Sequence, residues 1–136
     1  MTDDARGDHQ RRADALDRRR QAEARAATAL IERFVADAEA AGLRPEPLTA
    51  RSYSGSTRVR TQVTGWYLKR DRSVGVGTDG LFYVLSTPVG LKERLRGAVI
   101  APAEPPLELG RGARDGESLP LAEALRLRLE AGDAWG

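Results

Sequence analysis

GWYLKRDRSVGVGTDGLFYVLS, residues 65–86, decides the fold. Three short runs within it, GWYLKR, SVGVG and LFYVLS, are rich in aromatic and β-branched residues and are separated by turn formers, the pattern of successive strands. Asp71 and Arg72 can turn the chain between Lys69 and Ser73, and Asp79 followed by Gly80 is a strong hairpin signal. The stretch therefore reads as a three-stranded antiparallel meander with Trp66, Leu68, Val76, Phe82 and Val84 in the core.

Gly75, Gly77 and Gly80 have the GxGxxG spacing of a dinucleotide-binding turn. That chemistry needs a helix N-terminus, whose free amides and dipole hold a pyrophosphate. Here the glycines open LFYVLS, a strand, so no such site forms. They are expected instead to let Tyr67 and Tyr83 lie close over a neighbouring strand.

On the N-terminal side, LTARSY and TRVRTQV also read as strands. In TRVRTQV the period of two puts Val59, Thr61 and Val63 inward and Arg58, Arg60 and Gln62 outward. Trp66 and Leu68 fall out of phase with Val59 and Val63. Gly65 stands at the break, and a bulge or turn there is expected to return Trp66 to the core side.

From Asp8 to about Ala41 the chain has no proline and no glycine, and alanine, arginine, glutamate and leucine favour helix throughout. Ala27, Leu30, Ile31, Phe34, Val35 and Ala38 make one apolar stripe, whereas the earlier half offers only Ala13 and Leu16. Residues 1–24 are thus expected to be a solvated or frayed extension, and 25–136 a single domain. Gly42, Pro45 and Pro47 stop the helix.

After Pro88, GLKERLR (90–96) makes a short helix at most. VIAPAEPPLELGRGARDG (99–116) reads as extended chain draped over the domain. Ser118 and Pro120 suit a helix start, with Leu121, Ala122, Leu125 and Leu129 as the buried stripe up to Gly132. The fold class is α+β: a long N-terminal helix on a three- to four-stranded antiparallel meander, completed by a short helix and a C-terminal helix.

The 136 residues contain no cysteine, which excludes disulfides and thiolate chemistry and suits a reducing cytoplasm. No membrane-spanning apolar run or signal peptide is apparent. The single histidine, His9, lies in a polar segment without partners, so neither a metal site nor histidine acid–base catalysis is expected. No catalytic residue and no cofactor are assigned. Asp71, Asp79 and Asp115 sit in expected turns, where aspartate serves the backbone. The serines of YSGST (53–57) and the loop GRGARDGES (110–118) have backbone that could cradle an anion.

Charge is uneven. Residues 43–100 hold ten basic and four acidic side chains, while the segments on either side are neutral or acidic. Arg58, Arg60, Tyr67, Lys69, Arg70 and Arg72 are the candidate contacts for an anion or nucleic acid on a basic 51–72 surface. DGLFYVLS is loosely similar to the base-stacking strand of an RNA-recognition motif, but Asp79 stands where a basic residue belongs, and Leu81 and Ser86 replace aromatics. A covering helix would bury Tyr67 and Tyr83 instead.

TGWYLKRDRSVGVGTDGLFYVL, KERLRG and GRGARDGES resemble segments of small uncharacterised actinobacterial proteins. The resemblance implies a bacterial cytoplasmic protein of similar layout and carries no activity to any residue. Two functional classes follow from the residues: a non-catalytic protein-interaction module or adaptor, with a homodimer through the N-terminal helix as one arrangement, and an RNA- or ribosome-associated module.

Because residues 2–20 offer so little to bury, their deletion is expected to move Tm by no more than a few degrees, since removing exposed chain rarely costs more than ~0.5 kcal/mol. A thermal melt of the truncated chain checks this, and unfolding or aggregation would contradict it.

Overall fold

A computed structural model describes residues 2–110 and 118–135. Helix α1 (Thr2–Ala40) is followed by strands β1 (Glu46–Ser52), β2 (Arg58–Tyr67), β3 (Val74–Gly77), β4 (Phe82–Val84) and β5 (Ser86–Thr87). Helix α2 (Leu91–Arg96), a small pair of strands β6 (Glu108–Leu109) and β7 (Leu119–Pro120), helix α3 (Leu121–Ala131) and a 3-10 turn (Gly132–Ala134) complete the chain. The α+β class holds, with the meander β2-β3-β4 antiparallel and turning where Asp71–Arg72 and Asp79–Gly80 put it.

The sheet is larger than the meander. Its order is β4-β3-β2-β1-β5, and β5 pairs with β1 in parallel. Since β4 and β5 are separated only by Leu85, one stretch of chain forms both ends of the row, and the sheet closes on itself. Leu85 makes the closure: its N–H donates to the Ser73 carbonyl at 2.9 Å, and its own carbonyl accepts from Arg51 N–H at 2.9 Å.

Closure gives the sheet two buried faces, which explains the phase problem around Gly65. Leu48, Ala50, Val59, Val63, Tyr67, Tyr83 and Leu85 fill the inside. Trp66, Leu68, Val76 and Phe82 point outward, where α1, α3 and Leu109 cover them. Strand β2 therefore alternates normally through Gly65, and the expected bulge there is absent. The irregularity lies earlier: Pro47 opposes Thr64 and Thr49 opposes Arg60, so Leu48 alone faces residues 61–63. Thr61 Oγ1 stitches this bulge, donating to the Leu48 carbonyl at 2.7 Å and accepting from Val63 N–H at 3.1 Å.

Gly65 and the spaced glycines now have physical roles: a Cβ on Gly77 would press on the Tyr83 ring at 3.2 Å. On a tightly coiled sheet the inside has little room, and Gly65 and Gly75 occupy inward positions. A Cβ on Gly75 would meet Leu48 Cδ1 at 2.8 Å, and one on Gly65 would lie 1.9 Å from the Val76 carbonyl oxygen. Gly80 is the turn residue, with φ of 80°.

Outside the sheet, Ala27, Ile31, Phe34 and Ala38 of α1 are buried, as their spacing requires. Phe34 and Trp66 meet edge to face, 5.6 Å between ring centroids. The helix ends in a Schellman motif: Leu43 N–H bonds to the Ala38 carbonyl and Gly42 N–H to that of Glu39. Trp66 Nε1 donates to the Leu43 carbonyl at 3.4 Å, tying this cap to β2. In the first half of α1, Leu16 is exposed, and side-chain pairs such as Gln10–Asp14 run along the helix itself.

Four expectations are corrected. Val84 is 46% exposed, because the helices that cover Phe82 do not reach it. The inner face is closed by extended chain carrying Ala98 and Ile100, not by a helix, and α2 buries none of its residues. Ser118 does not cap α3; its hydroxyl donates to Glu108, Pro120 occupies the cap position, and Leu121 N–H bonds to the Leu107 carbonyl. On α3 the buried positions are Leu121, Ala124, Leu125 and Arg128, with Ala122 exposed.

The pairing of β2 with β3 makes a specific demand on glycine at position 65. Gly65→Ala, facing backbone that cannot yield, is expected to cost about 3 kcal/mol or more. Gly55→Ala, at φ of 80° with nothing within 4 Å, is expected to cost only the left-handed penalty of about 1–2 kcal/mol. Urea unfolding of the two variants measures the difference, and equal losses would contradict the close approach of β2 and β3 at Gly65.

Candidate functional site

The six sequence candidates separate into three places. Arg58, Tyr67 and Arg72 gather around Thr49. Arg58 Nε donates to Thr49 Oγ1 and Nη2 to the Thr49 carbonyl, both at 2.8 Å, and Nη2 also reaches the Arg72 carbonyl at 3.3 Å. The Tyr67 hydroxyl accepts from Thr49 N–H at 2.9 Å, and the Arg72 guanidinium lies over the Tyr67 ring, 5.6 Å from its centroid. Arg58 and Tyr67 are thereby committed to holding β1 against the meander. Arg72 adopts a φ of 61° in the turn, the left-handed region, and its N–H bonds to the Lys69 carbonyl.

Lys69 and Arg70 lie on the side of the meander that meets α3. The Lys69 ammonium is 3.7 Å from Asp71 Oδ2, and the Arg70 guanidinium is 4.9 Å from the centroid of the Trp135 ring. Burial works to raise the Asp71 pKa. Two hydrogen bonds from Ser73 and the nearby Lys69 charge outweigh it and hold the carboxyl below its ordinary value.

Arg60 stands apart, exposed, at a hollow shared with Gln62, Arg96 and Val99. Gln62 fixes the crossing chain there: its amide donates to the Ile100 carbonyl at 2.5 Å and its side-chain oxygen accepts from Ile100 N–H at 2.9 Å.

The aromatics do not form a stacking platform. Tyr67 and Tyr83 are 5% exposed each, and only Tyr53 stands in solvent. The Tyr83 hydroxyl donates to Asp79 Oδ2 at 2.7 Å, while Asp79 Oδ1 accepts from Leu81 N–H to shape the turn. Burial, then the hydrogen bond to Asp79 and its charge, push the Tyr83 pKa up to about 12. Ser52, Ser54 and Ser56 of the β1–β2 turn bond to one another at 2.9 and 3.1 Å. Asp115 and the loop 110–118, apart from its ends, lie outside the described residues.

Sequence reasoning missed an apolar surface on α2. Leu91 is 74% exposed, Leu95 69% and Val99 85%. Leu91 and Leu95 were readable as an i, i+4 pair, but the pairing says nothing of which way a helix faces. The helix is held by its ends: Gly90 N–H donates to Glu93 Oε1 at 2.7 Å, Gly97 N–H to the Glu93 carbonyl at 2.8 Å, and Ala98 N–H to the Arg60 carbonyl at 2.8 Å. Its leucines are thus spent on neither the core nor the helix. Lys92 and Arg96 flank Val99 in adjoining hollows.

Compared with protein-family models, curated proteins and solved structures, the chain matches none. Among the described residues no cluster of three or more histidine, aspartate or glutamate side chains could hold a metal, and no helix is long and apolar enough to cross a membrane.

The Tyr83–Asp79 bond has a pH signature. The folded-state pKa lies above the ordinary value of 10.0, so its contribution is complete below that pH and is lost as pH rises towards about 12. The urea midpoint of the wild type is expected to fall over this interval more steeply than that of Tyr83→Phe. Parallel curves would contradict the assignment.

Proposed function

We propose that the protein is a non-catalytic interaction module, a small cytoplasmic adaptor, which docks an acidic protein segment with apolar anchors on α2 and Val99. The observation that carries this reading is the outward placement of Leu91, Leu95 and Val99, each more than two-thirds exposed on a chain with few large apolar side chains to spare. Apolar anchors set the affinity of such a surface. Charge selects the partner: Lys92, Arg94 and Arg96 belong to the same six-residue helix and Arg60 borders it, while Glu93, its one acid, is engaged with Gly90 N–H.

The RNA-associated alternative has less support. Of its stacking residues Tyr53, Tyr67 and Tyr83, only Tyr53 is exposed, and Arg58 is bound to Thr49 and Arg72. A homodimer through α1 would have Leu16 as its exposed large apolar side chain, amid arginine and aspartate, a thin seam for a coiled coil.

A photo-crosslinking amino acid introduced at position 95 in cells tests the reading, with position 16 of α1 as control. A discrete protein adduct at 95 alone is expected, its yield falling several-fold with Lys92→Glu/Arg96→Glu. An adduct removed by ribonuclease, equal yield at position 16, or indifference to the charge reversal would overturn it.

A further inference from the structure

Where the end of the meander meets α3 there is a half-open cleft of about 480 Å³, the size of a small-molecule site. Leu68, Leu119, Ala124, Leu127 and the Trp135 ring give it apolar walls. Its charged groups are Lys69, Arg70 and Glu130.

These charges are unequally satisfied. The Glu130 carboxylate accepts from Arg126 Nη1 at 2.6 Å. The Lys69 side chain is only 15% exposed, yet its sole carboxylate within 4 Å among the described residues is Asp71 at 3.7 Å, beyond hydrogen-bond length. Asp71 is itself bonded twice by Ser73. Arg70 rests on Trp135, and a second guanidinium, that of Arg128, lies 5.1 Å from the same ring. Arg128 is 5% exposed; its Nη1 donates to the Gly132 carbonyl at 2.7 Å, and its buried Nε has no partner among the described residues. Asp71 stands beside Lys69, and Glu46 and Asp133 offset Arg128 behind the ring, so the cation at the cleft with no carboxylate within 4 Å among the described residues is Arg70, with Lys69 next to it.

We propose that this cleft binds a small amphipathic monoanion, a carboxylate with an aliphatic or aromatic tail. The tail lies against Leu119, Leu127 and Trp135, and the carboxylate takes donors of Arg70 and of Lys69, which has no hydrogen-bond partner among the described residues. A single charge fits better than a phosphate dianion because Glu130 shares the cleft. The site is separate from the α2 surface, with which it has no lining residue in common.

The two tryptophans, Trp66 in the core and Trp135 in the cleft, supply an internal control. Octanoate, octanol and inorganic phosphate are titrated into isotopically labelled protein while both indole N–H signals are followed. Octanoate is expected to move the Trp135 signal and the amides of 68–70 and 124–131 in a saturable way, leaving Trp66 in place. Octanol and phosphate, and octanoate with Lys69→Gln or Arg70→Gln, are expected to bind at least about tenfold more weakly, the loss of one charge-assisted contact. An unshifted Trp66 signal in each variant reports that it is folded. Octanol binding as tightly as octanoate, unchanged affinity in both variants, or shifts centred on α2 would overturn the proposal.

Discussion

The backbone of Leu85 holds the two ends of the sheet together. Its N–H bonds towards β3 and its carbonyl accepts from β1, so that one extended stretch serves as both edges. Closing a sheet removes the exposed edges that invite unwanted pairing, and it also creates an inside. Everything else follows from having an inside and an outside to fill. A narrow interior takes Leu48, Val63 and Tyr67 only if Gly65 and Gly75 give up their side chains. The outside, which carries Trp66 and Val76, then needs α1 and α3.

Two cores of modest size account for a chain that is poor in aromatics. Strands β2 and β4 contribute to both, β1 to the inner core and β3 to the outer. The side chains left over are correspondingly informative: Leu91 and Leu95 on α2 with Val99 beyond its end, and Leu127 with Trp135 at the cleft. They sit on opposite sides of the argument about function, the first a surface for a macromolecule, the second a space for a small one.

Basic residues are divided by use rather than by position in the chain. Arg58 is consumed by backbone and hydroxyl acceptors on β1, which no count of charges reveals. Arg70 and Arg128 support an aromatic ring from separate elements. Arg60 and Arg96 meet at one hollow although 36 positions separate them. A segment net charge near +6 therefore describes composition, while the chemistry depends on which guanidiniums keep unpaired donors.

The local features were legible in residues 65–86 and in α1. Turns at Asp71 and Asp79, the α1 stripe ending at Gly42 and the strand character of LFYVLS are set by neighbours a few positions apart, through dihedral preference and periodicity. Gly65 shows where that reading stops. Its surroundings looked like a break in phase because alternation was being judged against one core. Only closure, which depends on Ser73, Leu85 and Arg51 meeting across the chain, supplies a second core and makes both phases correct. The same holds for the candidate sites: the basic character of residues 51–72 was readable, but Trp135 joining Arg70, and α2 turning its leucines to solvent, are consequences of long-range packing, to which no local preference of the sequence corresponds.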